Sequence, residues 1–450
     1  MGSGAEGSIA EVAGEDWRGG AEAPRTEGAA RRNIAVAVTS SSPPRAGTDK
    51  LWRADPIGAI MRVVDTEPGG EKGRCYVSAL SEHPDSAHAA AEVTAQVLER
   101  LGPAPELAVF FVTPPHRGAV VDIADVVGSV LRPVTLLGAA AVAVLGLRRE
   151  VEETPGVSLF AARLGSPAVP VRLRAERTVD GWQISGFPSD VAGARSMLLV
   201  ADPFTFPVDV LLDGLRRTQP DLAVVGGMAS ASNGPGGNRL LVDDSSCTDG
   251  AVGVLLAEDV SPQAVVSQGC RPIGRPYIVT RAGGHVIYEL GGRPALERLL
   301  TMLERLPPGD RELSEHGLHC GVVIDETKDE FERGDFLIRG VLGADRATGA
   351  VAVGDTIAVG STVQFQVRDA ASADEDLHVV LAGRAARGAL VFTCNGRGRR
   401  LFGTPDHDAT LVGDLLGTSA MAGMFCAGEL GPVGGRNAVH GFTASIAIFS

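Results

Sequence analysis

Three times along this chain an unbroken apolar run stops at a polar turn, and a segment of helical periodicity follows. The runs are 107–112, 196–200 and 389–392, and they stop at T-P-P-H-R-G (Thr113), A-D-P-F-T-F-P (Asp202) and T-C-N-G-R-G (Thr393). The helical segments are expected at 122–131, 208–217 and 411–416, and each leads into a second run rich in Gly, Ala and Val. Short continuous apolar runs bounded by turn residues read as buried strands. Each repeat therefore predicts strand–loop–helix–strand, the unit in which two parallel strands are joined by a crossover helix. Loops after the strands of such units gather on one edge of the sheet.

Elsewhere the spacing changes. Residues 86–101 carry Ala90, Val93, Val97 and Leu101 on one helical face, with Ser86 placed to cap and Gly102 to stop. Residues 294–306 predict another helix through Leu296, Leu299, Leu300 and Leu303. The apolar residues 136–145 read as one strand. Short β-branched segments at 157–164, 252–256, 265–267, 286–290, 321–324 and 362–367 are bounded by Gly, Pro or Asp and predict antiparallel pairing. The mixture predicts an α+β (mixed α/β) fold of two domains, in which helices cover mixed sheets. The expected division is 71–292 and 293–450. Residues 1–70 are rich in Gly, Ala, Ser, Glu and Arg, with strand character only at 34–38, and are expected to form a disordered tail.

Composition narrows the function classes. The 450 residues are 44% hydrophobic and 4% aromatic with 58 glycines, as in an α/β protein with many tight turns. A net charge of −14 argues against nucleic acid as a partner, because neutralising phosphates needs a basic face. The cysteines at 75, 247, 270, 320, 394 and 426 contain no C-x-x-C pair. Together with the lack of a signal peptide they predict reduced thiols and a cytoplasmic protein. The uncharged stretch 134–147 is shorter than the roughly 20 residues a bilayer requires, so no membrane segment is expected. No metal-ligand spacing, P-loop or G-x-S-x-G is found, and no cofactor is predicted.

The richest chemistry lies at 388–445. An apolar strand runs into Cys394, Asn395, Gly396 and Arg397, where glycines free the backbone to turn. Arg397 offers a guanidinium to a carboxylate or phosphate; as a structural residue it would pair with Glu429. A cation beside Cys394 would lower its thiol pKa, whereas the plain reading is a small buried hydrophobe. Glu429, in A-G-E-L-G-P, either receives a ligand amine or caps the N–H groups of its turn. Asn437 and His440 follow on a glycine-rich return, and His440 is a pocket candidate. Upstream, Ser230 belongs to the small polar cradle M-A-S-A-S-N-G-P-G-G, and Gln268 opens Q-G-C-R-P-I-G.

These motifs carry a resemblance. C-N-G-R-G, G-E-L-G-P and N-A-V-H-G-F-T resemble signatures of the C-terminal FIST domain of F-box and intracellular signal transduction proteins. V-V-G-G-M-A-S-A-S, Q-G-C-R-P-I-G-R-P-Y-I-V-T and E-L-G-G-R-P-A-L-E resemble those of the N-terminal FIST domain. The likeness runs from about Glu71 to the end in the family's order. One departure is L-L-G-A-A-A-V-A-V-L-G, where family members often carry Gly-Cys-Ser or Gly-Cys-Thr. The resemblance implies a small-ligand sensor, with amino acids proposed as ligands. With no fused kinase or cyclase, a sensor would need a signalling partner protein. The F-box members imply a scaffold, although no F-box-like helical segment is read here. The rival reading is an enzyme with Cys394 as nucleophile and His440 as base. The sequence favours binding, because no adjacent base or oxyanion arrangement accompanies the cysteine.

Overall fold

The structure, a computed structural model, describes residues 73–450 apart from positions 180, 189, 190 and 192. The predicted tail and its candidate strand at 34–38 lie outside the described residues. All three predicted repeats form parallel pairs. Leu107–Val112 pairs with Thr135–Ala140 across the helix Val120–Leu131. Ala194–Ala201 pairs with Ala223–Met228 across Val208–Thr218. Gly388–Cys394 pairs with Met421–Cys426 across His407–Leu416. The middle helix shows why. Val208, Leu211, Leu212 and Leu215 are buried on one side, Asp209 lies in its first turn, and Arg216 and Arg217 lie in its last, which complements the helix dipole.

These pairs lie in sheets one, two and three in that order, and after each pair the chain leaves its own sheet. The hairpin Ala143–Gly146 with Arg149–Glu152 joins sheet three, against Met421–Cys426. The hairpin Leu240–Val242 with Ser245–Cys247 joins sheet one, against Thr135–Ala140. The hairpin Glu429–Val433 with Arg436–His440 joins sheet two, against Ala223–Met228. The chain then returns antiparallel to its own sheet as Val157–Arg163, Ala251–Ala257 or Thr443–Phe449. Three equivalent units thus exchange hairpins in a cycle. The single strand expected over 136–145 is corrected by this exchange: it is two strands, Thr135–Ala140 and Ala143–Gly146, on different sheets. Every residue of both is buried, so the apolar run carries no mark of the break.

One register repeats at each exchange. Gly138 faces Leu241, Gly226 faces Leu430 and Gly423 faces Leu145. On their other sides these glycines face Phe110, Leu199 and Val391. An added Cβ would strike the Phe110 ring at Gly138 and the backbone carbonyls of Leu199 and Val391 at the other two. The small residues of the second strands are therefore the condition for three sheets to close on one another. Their inner faces share one core, where Phe111 and Phe392 meet edge to face with centroids 6.0 Å apart. Their outer faces are covered by the helices Ser86–Leu101 and Val120–Leu131, by Val208–Thr218, and by Ala370–Leu381 with His407–Leu416.

The third unit carries an insertion. Between the strand Gln263–Gln268 and the helix Ala370–Leu381 stands a closed barrel of Tyr277–Gly283, Val286–Leu290, Ala350–Val353, Phe336–Asp345, Leu318–Val323 and Thr362–Arg368, each bonded to the next and the last to the first. Its core holds Val279, Leu290, Cys320 and Phe365, with Leu299 and Met302 from the helix Ala295–Glu304. The expected division at 292/293 falls at the turn Gly291–Gly292 inside this barrel. The barrel's stems pair with each other, Cys270 opposite Arg368. Past the second stem, Asp369 accepts from the N–H groups of Ala371 and Ser372 and starts a helix that the apolar pattern alone does not announce. Among the described residues no helix is long and apolar enough to cross a membrane.

Candidate functional site

Buried on both faces, Gly388–Cys394 fixes Cys394 at its end, and the turn Asn395–Gly398 sends the next side chain back into the protein. That side chain is Arg397. It donates Nε to Asp408 Oδ2 at 2.6 Å and Nη2 to Asp408 Oδ1 at 2.9 Å. Asp408 also accepts from Thr393 Oγ1 at 2.8 Å and lies 3.1 Å from His407 Nδ1. Burial opposes its charge, yet Arg397 and these hydrogen bonds hold the carboxyl far below the usual carboxylate range. The ion-pair partner of Arg397 is thus Asp408, which no sequence motif singled out, and not Glu429. The third guanidinium nitrogen, Nη1, is buried with no hydrogen-bond partner among the described residues.

Glu429 arrives on the exchanged hairpin and is fully buried. Its Oε2 accepts from the Thr443 N–H at 3.1 Å and the Thr443 Oγ1 at 2.8 Å, while Oε1 has no partner among the described residues. Burial raises its pKa to about 8, so the carboxyl is mainly protonated at neutral pH. The Cys394 thiol is pushed up to about 12, first by burial and then by Glu429. The expected activation by a neighbouring cation is outweighed: burial and Glu429 raise the thiol more than Arg368 lowers it, and Arg397 is paired with Asp408. His440 faces Glu429 across the hairpin, but its Nε2 lies 2.9 Å from the Gly431 carbonyl, and burial lowers its pKa to about 4.

Of the other expected residues, Asn395 touches this group, its Oδ1 accepting from Cys394 Sγ at 3.8 Å, and Asn437 and Gln268 are placed apart from it. Asn395 is exposed, and its N–H donates to the Cys426 carbonyl. Asn437 accepts from the Val224 N–H at 2.9 Å and donates to the Leu222 carbonyl at 2.7 Å, binding the exchanged hairpin to sheet two. Gln268 donates to the Phe336 carbonyl at 2.9 Å and accepts from the Gly334 N–H at 3.2 Å, tying the barrel to sheet three. Ser230 donates to the Phe425 carbonyl at 2.5 Å and accepts from the Val142 N–H at 2.9 Å, so it touches strand ends of the other two units. The structure therefore brings Cys394, Arg397, Glu429 and His440 together, with Ser230 at the adjoining junction of the units.

Five further residues complete the surroundings. Arg368, at the barrel stem, donates to the Gly396 carbonyl and lies over the Phe442 ring at 5.4 Å. Phe442 adopts a left-handed backbone, φ 63°, an outlier for an aromatic residue. Its ring meets His319 edge-on at 4.0 Å, and its carbonyl accepts from the Gly269 N–H at 2.9 Å. His319 pairs in register with Gln366, and His319 Nδ1 and Gln366 Nε2 are buried without partners among the described residues. Burial, then Arg368, lowers His319 to about 4. Gly269 explains the join between the two halves: a Cβ there would lie 2.6 Å from the Phe442 carbonyl and 3.0 Å from Arg397 Nη1. Phe442 and Gly269 stand inside motifs visible in the sequence, H-G-F-T and Q-G-C-R. His319, Gln366 and Arg368 alternate with barrel-core residues, a pattern that reads as solvent-facing strand. No three His, Cys, Asp or Glu among the described residues are grouped to hold a metal ion.

Comparison with known proteins agrees with this layout. Residues 106–293 match the family model of the FIST N domain and residues 295–432 that of the FIST C domain. The boundary between the two matches falls within the barrel. An uncharacterized protein of Mycobacterium tuberculosis is 47% identical over 379 residues, covering 82% of this chain and 98% of its own length. An uncharacterized protein of Mycobacterium bovis is 46% identical over 373 residues, covering 81% and 96% respectively.

Proposed function

The chain belongs to the FIST family, and from that premise we propose that it is a sensory protein that binds a small molecule, an amino acid or a small carboxylate, in intracellular signal transduction. One observation carries the reading. Arg397 Nη1 and Glu429 Oε1 are both buried and unpartnered among the described residues. A buried polar atom without a partner costs about 1–3 kcal/mol, so a ligand that gives both atoms a hydrogen-bond partner recovers a substantial free energy. The polar oxygens of an amino acid or small carboxylate can accept from both the Arg397 N–H and the protonated Glu429 carboxyl. The six free cysteines support a reducing compartment, the cytoplasm. A signalling partner protein would relay the bound state, as the family's sensory role implies. The raised thiol pKa of Cys394 weighs against the enzyme reading, because the thiolate is the nucleophile. A thermal-shift screen of the standard amino acids and of small carboxylates at pH 7 tests the reading. At least one compound should raise the melting temperature in a saturable manner, and a screen with no such compound sinks it.

A further inference from the structure

The arginine of the C-N-G-R-G turn is not the one free to hold an anion. Arg397 is neutralised by two hydrogen bonds to Asp408 and keeps a single nitrogen to spare. Arg368 makes no ion pair among the described residues. Its guanidinium meets only a neutral carbonyl, at Gly396, and an aromatic face, at Phe442. A half-buried guanidinium with neutral neighbours is suited to two-point recognition of a carboxylate.

The surroundings are built in the same sense. On Thr362–Arg368, Phe365 and Val367 enter the barrel core, so Gln366 and Arg368 point the other way, towards the three-sheet body. On Leu318–Val323, Cys320 enters the core and His319 points with them. His319 and Gln366 are only 5% and 1% exposed, and His319 Nδ1 and Gln366 Nε2 are unpartnered among the described residues. Two glycines keep the backbone bare around these groups. A Cβ at Gly321 would lie 2.6 Å from Gln366 Nε2, and one at Gly396 would lie 3.3 Å from the Arg368 guanidinium. The strained Phe442 places its ring against both His319 and Arg368.

Resting on the sensory reading above, we infer that Arg368 receives the carboxylate of the bound molecule at the base of the inserted barrel, with His319 and Gln366 hydrogen-bonding its remaining polar atoms. The position has a consequence for signalling. Arg368 is paired with Cys270 in the stems that join the barrel to the third unit, so a ligand held there contacts both bodies. Occupancy is thereby linked to the seating of the barrel on the C-N-G-R-G turn.

The test uses the full chain and four probes: L-alanine, L-aspartate, pyruvate and succinate. Wild type, Arg368→Gln and Arg368→Lys are each titrated, with melting temperature and calorimetric Kd as readouts. For any probe that stabilises wild type, Arg368→Gln should weaken Kd by roughly ten- to a hundredfold, the loss of one charge-assisted contact. Arg368→Lys, which keeps the charge without the fork, should fall between. If Arg368→Gln binds that probe within about twofold of wild type, the sensory reading stands and the Arg368 assignment falls. Should the glutamine variant fail to fold, a lysine variant binding as tightly as wild type overturns the two-point anchor, and a weaker one supports it. If none of the four probes stabilises wild type, the compounds that do so in the amino-acid and carboxylate screen take their place, and a screen with no such compound removes the ligand class and the inference together.

Discussion

Arg397 and Asp408 clasp each other through two hydrogen bonds at 2.6 and 2.9 Å, with side chains only 1% and 0% exposed. Removing one partner of such a pair leaves a buried charge uncompensated, which typically costs about 3–5 kcal/mol, whereas replacing both with apolar groups costs far less. Arg397→Met should therefore lower unfolding free energy by about 3–5 kcal/mol. The double variant Arg397→Met with Asp408→Leu should recover a large part of that loss. Urea unfolding of the two variants checks this; a double variant less stable than Arg397→Met would show that the pair is not the source of the cost.

A second carboxyl stands beside this pair. Glu150 enters on the exchanged hairpin, its Oε1 accepts from the Ala409 N–H at 3.1 Å, and Oε2 has no partner among the described residues. Burial and then the Asp408 charge raise its pKa from 4.5 to about 8. Between those values the folded chain holds a proton that the unfolded chain has released, so the contribution of Glu150 falls as pH rises. Glu429 behaves alike. His319 and His440 act oppositely between about 4 and 6.5, where the unfolded chain holds the extra protons. The glutamate decline is thus isolated above about pH 6.5. The melting temperature of Glu150→Gln relative to wild type should rise from there to about pH 8. A difference that stays flat across this interval would mean that Glu150 is already ionised in the folded chain.

The hairpin exchange makes its own demand. Gly226 has φ 155°, and a Cβ there would collide with the Leu199 carbonyl on the neighbouring strand. Gly226→Ala should cost about 3 kcal/mol, the upper end of overpacking penalties, because the obstacle is backbone and cannot swing aside. Gly128, in the helix Val120–Leu131, has no such neighbour, so Gly128→Ala should gain up to about 1 kcal/mol. Denaturant midpoints of the two variants should move in opposite directions, and a neutral Gly226→Ala would remove the steric argument.

How far the sequence revealed this depends on the range of each signal. The three strand–loop–helix–strand units are legible because their patterns are local: a run such as Leu107–Val112 is apolar at every position, and Val208–Thr218 is apolar on one face. The exchange of hairpins is illegible, because Ala143–Gly146 is as buried on sheet three as Thr135–Ala140 is on sheet one. Glycines at 138, 226 and 423 are its trace, and they become readable only once the register is known. Cys394, Arg397 and Glu429 stand out through their glycine-rich settings. Asp408 does not, since a carboxylate near a helix start reads as an ordinary first-turn acid. His319, Gln366 and Arg368 are hidden for a similar reason. Their polar alternation describes a strand facing water, and here the face is covered by another part of the chain.

The last prediction separates binding from covalent chemistry at Cys394. Its thiol is pushed to about 12 by burial and by Glu429, and its Sγ accepts from the Gly396 N–H at 3.4 Å. Alkylation proceeds through the thiolate, so a buried thiol with a raised pKa should react slowly. In native protein at pH 7, iodoacetamide should label the partly exposed Cys75 well before Cys394, and in urea the difference between them should vanish. Peptide mass mapping over a time course reads both rates. Cys394→Ser should leave ligand binding within about fivefold of wild type, because a hydroxyl can serve the same contacts, each worth about 1 kcal/mol. Labelling of Cys394 ahead of Cys75 in the native state, suppressed by a bound amino acid or carboxylate, would instead assign it a nucleophile's role and make the enzyme reading the stronger one.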